Sequence, residues 1–70
     1  MYTDKRGWLY MVKPDLSGKQ FKAFYRKPNP RKPLDEGWYA CRGFTWRGPA
    51  ADAIEDLDAI AKSKGWKPAI

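Results

Sequence analysis

Three runs rich in aromatic and β-branched residues lead this chain, and one stretch with helical spacing follows them. Residues 7–13 (GWLYMVK) are the first run, and Pro14 stops it, because proline cannot donate to a strand ladder. Pro14-Asp15-Leu16-Ser17-Gly18 is turn chemistry throughout, which predicts a hairpin loop of about five or six residues. Residues 19–27 (KQFKAFYRK) are the second run, and residues 37–46 the third, with Gly43 as a candidate bulge beyond which side-chain parity is unsafe. Between these two lies Pro28-Asn29-Pro30-Arg31-Lys32-Pro33, read as a stiff, extended, basic connector. Its Pro30–Pro33 spacing is formally a PxxP, but a strand connector explains it. Residues 49–64 form the helix. Pro49 opens it where a missing N–H costs nothing, Ala50, Ala53, Ile54, Leu57, Ile60 and Ala61 make its apolar stripe, acids come early and lysines late, and Gly65 ends it. Residues 1–6 are polar and read as a flexible arm.

These elements predict one small α+β domain spanning 1–70: a three-stranded antiparallel meander covered on one face by a C-terminal helix (β-β-β-α). Alternation then sorts the strand residues into two sets. Leu9, Met11, Phe21, Ala23, Tyr25, Tyr39 and Cys41 carry no charge and are expected under the helix. Trp8, Tyr10, Val12, Gln20, Lys22, Phe24, Arg26, Trp38, Ala40 and Arg42 mix aromatics with cations and are expected on the open face. A slip of one residue in the first strand would exchange its two sets.

Charge sharpens this picture. The formal net charge is +6, and it is uneven: residues 1–48 carry +7 and residues 49–70 carry −1. Nine aromatics interleave with Lys and Arg between residues 7 and 46. Aromatic faces stack on bases and cations neutralise phosphates, so nucleic acid is the leading partner. The candidate contact residues are Trp8, Tyr10, Lys22, Phe24, Arg26, Trp38 and Arg42 on the sheet, with Arg31 and Lys32 clamping from the loop. Duplex DNA is favoured over RNA.

Other chemistry finds little support. There is no histidine and a single cysteine, Cys41, so an intramolecular disulfide, an ordinary zinc site and a histidine base are all excluded. No cofactor is expected. Asp52, Glu55, Asp56 and Asp58 suit a solvated, dipole-complementing helix face better than an acid–base site, so the chain is not read as an enzyme. No apolar run approaches membrane-spanning length and no signal peptide opens the chain, which predicts a cytoplasmic protein without membrane contact.

Strand, hairpin, strand, longer loop, strand, turn and amphipathic helix is the order found in AP2-type DNA-binding domains and in integrase arm-binding domains. Residues 37–45 (GWYACRGFT) and the Ala-rich helix from Pro49 resemble their last strand and helix. The resemblance covers most of the chain by order of elements and includes no diagnostic motif. It implies that the open sheet face enters the major groove, and points to Lys22, Arg26, Trp38 and Arg42. The proline-rich second connection departs from that pattern. Double-stranded-RNA-binding domains share a β-β-β-α stretch but place basic residues where this chain has Asp52, Glu55 and Asp56.

Two rival readings stand beside nucleic acid. The same face, or an edge strand, could serve a protein-interaction module, a phage or plasmid accessory protein or a homodimer, since aromatics and Arg also dominate protein hot spots. Alternatively, the arm or the segment with Trp66 and Ile70 could cover the open face, leaving no functional surface.

Overall fold

The computed structural model describes residues 1–28, 31–33 and 36–69. Part of the proline-rich connector, including Asn29 and Pro30 of the PxxP spacing, and the terminal Ile70 lie outside them.

The architecture is α+β: an antiparallel sheet with one helix on it. Among the described residues the strands are β1 (Tyr2–Thr3), β2 (Leu9–Pro14), β3 (Phe21–Arg26), β4 (Trp38–Ala40) and β5 (Lys67–Pro68), with helix α1 (Ala50–Lys64) between β4 and β5. Their spatial order is β4-β3-β2-β1-β5. The expected three strands form the first part of that order. The flexible arm expected at 1–6 instead contributes β1, which pairs with β2 and β5, and Ala69 N–H donates to the Met1 carbonyl at 2.8 Å. Two-residue strands carry no alternation to read, so sequence pattern had no means of marking them.

The β2–β3 hairpin closes through Asp15. Its N–H donates to the Gln20 carbonyl, and its carboxylate accepts from Ser17 Oγ at 2.7 Å and from the Lys19 N–H at 3.3 Å. Pro14 was expected to stop the strand but occupies its last paired position, opposite Phe21. The third strand ends earlier than expected. Cys41 N–H still donates to the Ala23 carbonyl, then residues 42–46 loop out through Gly43 at φ +83°, and Arg47 pairs again with Phe21. Gly43 thus breaks the strand, as the sequence suggested, because a side chain is strained at that φ.

Helix α1 has the expected limits. Pro49 is its N-cap in an extended conformation, and Gly65 takes φ +73°, donating its N–H to the Ala61 carbonyl. Ala53, Leu57 and Ala61, four residues apart, make the buried stripe. Ile54, expected in that stripe, lies on its flank and is exposed.

The helix packs on β2 and β3, and its small side chains leave room for broad rings. The core cluster is Tyr10, Ala23, Cys41 and Leu57, with Tyr2, Trp8, Val12, Tyr25, Phe44 and Trp66 packed against it. This corrects the face assignment of the first strand. Tyr10 pairs with Tyr25, and Tyr25 with Tyr39, so all three point to the helix side. Trp8, Tyr10 and Val12 are therefore inward and Leu9 and Met11 outward, the reverse of the expectation. The face assignments of Phe21, Ala23, Tyr25, Tyr39 and Cys41 hold, but Tyr39, expected under the helix, lies beyond it and is exposed. Both parities of residues 8–12 are apolar, so alternation could not choose between them. Partners for Tyr10 do choose: its ring stacks on Trp66 (centroids 3.8 Å apart, planes 12°), and its hydroxyl donates to Asp4 at 2.7 Å.

Candidate nucleic-acid interface

The face opposite α1 is built by register alone. Leu9, Met11 and Lys13 of β2 stand beside Arg26, Phe24 and Lys22 of β3, and Trp38 and Ala40 of β4 complete the row. Trp46, from the looped-out segment after Cys41, meets Phe24 edge to face (6.0 Å, 67°). Lys22 Nζ lies 5.5 Å from the Trp46 ring centroid, and Lys13 Nζ 5.4 Å from that of Trp38. Those distances are within cation–π range. No carboxylate shares these register positions. Beyond Phe24 and Trp46 the face dips into an open concavity of about 690 Å³, bounded by Pro14, Leu16, Ser17 and Gln20 of the hairpin. Asp15 also borders it. Its bond from Ser17 and those from backbone N–H groups outweigh the effect of burial, holding its carboxyl below the usual range.

Of the residues expected here, Lys22, Phe24 and Trp38 come together on this face. Trp8 and Tyr10 do not. Tyr10 is 5% exposed beneath the helix, and burial followed by the bond to Asp4 pushes its hydroxyl up to about 12. Asp4 organises the turn before β2, accepting from the Arg6 and Trp8 N–H groups and from the Arg6 guanidinium at 2.9 Å. Burial would raise its carboxyl, but the bonds from Tyr10, Arg6 and the backbone outweigh that and hold it below the usual range.

Arg26 also departs from expectation. It has the predicted outward register but is 7% exposed. Its guanidinium donates to the backbone carbonyls of Glu36 (2.8 Å), Lys32 (2.8 Å) and Pro33 (3.1 Å). A charge on a strand reads as a surface charge in sequence, whereas here the connector folds back and takes the guanidinium as its anchor. Arg31 and Lys32 are exposed on that anchored connector, and Arg42 is exposed in the turn after Cys41. Sequence reasoning missed Lys13 and Trp46. Lys13 shares its parity with Leu9 and Met11, which were placed inward, and Trp46 lies beyond the break at Gly43.

The helix side carries a second group of rings where α1 does not reach. Trp8 stacks on Tyr25 (5.5 Å, 16°), and Tyr25 meets Tyr39 at 5.9 Å. Arg6 lies over the Trp8 ring, 3.6 Å from its centroid, and Lys27 Nζ is 5.3 Å from it. The acids of α1 are partly engaged: Asp56 holds Arg47 at 2.8 Å, and Asp58 accepts from the Tyr2 hydroxyl.

Comparison with known proteins gives no relative: no family model, curated protein sequence or solved structure matches the chain. The residues themselves carry the functional reading. Among the described residues no helix is long and apolar enough to cross a membrane.

Proposed function

We propose that this protein binds nucleic acid, duplex DNA in preference to RNA, through the sheet face opposite α1. Lys13 and Lys22 contact phosphate or base edges, Phe24, Trp38 and Trp46 supply groove contacts, and Arg42, Arg31 and Lys32 flank them. The observation that carries this reading is the pairing of Lys13 and Lys22 with tryptophan rings on a face whose paired strand positions, among the described residues, hold no carboxylate. Rings hold the ammonium groups but do not neutralise them, so their charge remains for a polyanion. The preference for duplex follows from shape: a β-ribbon fits the major groove, and the acids of α1 lie on the other side of the sheet, away from the phosphates.

Fluorescence anisotropy with a short labelled duplex tests the reading. Affinity should fall as salt rises from about 50 to 200 mM, and Lys13→Gln/Lys22→Gln should reduce the slope of log K against log salt by about 2. Absence of binding at the low-salt end, or an unchanged slope in the double variant, would reject this face.

One observation favours a protein partner instead. Leu16 at the hairpin tip is fully exposed, beside the apolar concavity of Phe24 and Trp46. Exposed apolar groups next to a concavity mark protein contacts. In that reading the partner is a protein or a second copy of the chain, and Leu16→Asp would abolish self-association seen by sedimentation while leaving duplex binding intact.

A further inference from the structure

We infer that the Trp8–Tyr25–Tyr39 ladder, on the helix side of the sheet, is a separate site for single-stranded nucleic acid, with a base stacked on Tyr39 and the backbone phosphates on Lys27 and Lys32. The class of ligand rests on the nucleic-acid reading above; the surface is a different one, centred on the helix-side ring Tyr39 and meeting the open face only at Lys32 and Arg26.

Three observations converge on this end of the molecule. First, Tyr39 is 58% exposed although its register position faces the helix side, because α1 crosses β2 and β3 and leaves the outer end of the row open. Its ring is supported from one flank by Tyr25, which is stacked in turn on Trp8. A supported ring is a ready platform, since little side-chain freedom is lost when a base settles on it. Second, Lys27, Lys32 and Tyr39 line one concavity of about 270 Å³ with Pro28 and Gly37. Its floor is fixed, because the buried Arg26 guanidinium grips the carbonyls of residues 32, 33 and 36. Third, the local charge is positive. Lys27 shares the Trp8 ring with Arg6, and among the described residues neither Lys27 nor Lys32 forms an ion pair, whereas Asp4 is already bonded to Arg6.

Stacking on a π-face suits any base, and the spacing of ring and ammonium groups suits an unpaired strand whose bases can turn outward. A duplex keeps its bases inside the stack and cannot offer one to Tyr39 without flipping it out. The two surfaces thus divide the forms of nucleic acid between them.

The test uses anisotropy with labelled oligo-dT, oligo-rU and a blunt duplex on the full chain. Tyr39→Ala should weaken oligo-dT and oligo-rU binding by roughly 5- to 150-fold, the range for one lost base–aromatic stack. Tyr39→Phe should restore it, and Lys27→Gln/Lys32→Gln should weaken both single strands and lower their salt slope. Neither Tyr39 variant should alter duplex affinity, and the Lys27/Lys32 variant should cost the duplex no more than the one flanking contact of Lys32. Conversely, Lys13→Gln/Lys22→Gln should weaken the duplex and spare the single strands. Because Tyr39 lies outside the core, thermal unfolding of its variants should match the parent. Single-strand binding that survives Tyr39→Ala and the Lys27/Lys32 variant, or no single-strand binding at all, overturns the inference. Equal losses on duplex and single strand overturn it in favour of one continuous surface. Tyr39-dependent self-association in place of oligonucleotide binding overturns it in favour of a protein contact. If the single strands bind through Tyr39 and the duplex fails to bind, the inference stands and the open-face reading falls alone. A preference between oligo-dT and oligo-rU identifies the natural strand as DNA or RNA.

Discussion

The two faces of this sheet use aromatic rings in opposite ways. On the helix side, Tyr10 is roofed by Trp66, and its hydroxyl is bonded to Asp4, so ring and polar atom are both satisfied inside the protein. On the open side, Phe24, Trp38 and Trp46 are half-buried: Phe24 and Trp46 meet edge to face, and lysine ammonium groups lie over the rings of Trp38 and Trp46. A buried ring with a bonded hydroxyl stabilises the fold. A half-covered ring under an unneutralised ammonium adds about 0.5–1 kcal/mol to the fold and keeps its attraction for an anion. Stability should therefore concentrate under α1, and binding on the open face and at the uncovered Tyr39 end of the helix side.

Substitutions can break that division. The largest effect is expected under the helix: Leu57→Ala should cost about 2–5 kcal/mol in denaturant unfolding, because Leu57 is buried in the core cluster with Tyr10, Ala23 and Cys41 and its removal leaves a cavity there. Asp4→Ala comes next. It strips the acceptor from Tyr10, from Arg6 and from two backbone N–H groups, and should cost about 2–3 kcal/mol. On the open face Lys22→Gln should change unfolding by less than about 1 kcal/mol while weakening duplex binding, and a larger loss of stability would make that face structural. The comparison can also be sharpened by titration. Tyr10 has a folded pKa above its unfolded value, so its contribution is complete below pH 10 and is lost as pH rises toward about 12. Tyrosinate absorbance should therefore show late titration of Tyr10 as well as of Tyr2, whose bond to Asp58 also raises it, and Tyr10→Phe should remove the Tyr10 part alone. Asp4 has the opposite sign: its folded pKa is depressed, so its contribution is present above the unfolded carboxyl range and is lost in acid, as pH falls through the folded value. Finally, burial pushes the Cys41 thiol up to about 11, so a thiol reagent at neutral pH should react with it only at the rate of local opening.

How much of this was legible in the sequence varied with the signal each element carries. The helix was readable to within a residue, since Pro49, the Ala53–Leu57–Ala61 spacing and Gly65 each fix it independently. The β3 face was readable because Lys22 and Arg26 share one parity while Phe21, Ala23 and Tyr25 on the other carry no charge, and the β4 face because Tyr39 and Cys41 share a parity opposite to Arg42. The β2 face was not: Trp8, Leu9, Tyr10, Met11 and Val12 are all acceptable inside, and the choice was made by partners distant in sequence, Asp58 through Tyr2 and Trp66 through Tyr10. The same limit applied to the site. Lys22, Phe24 and Trp38 were found because their own strands alternate. Arg26 was misplaced because the partners that bury it include backbone carbonyls, and every residue has one. Trp46 was missed because the looped-out residues 42–46 reset the parity.

The Arg26 anchor has a consequence for how the connector can change over time. The guanidinium holds main-chain oxygens of residues 32, 33 and 36, atoms that persist whatever side chains those positions bear. Those three bonds persist when the side chains of residues 32, 33 and 36 are replaced, so what these positions display can change while the bonds remain. Replacing Arg26 itself would release every displayed group together.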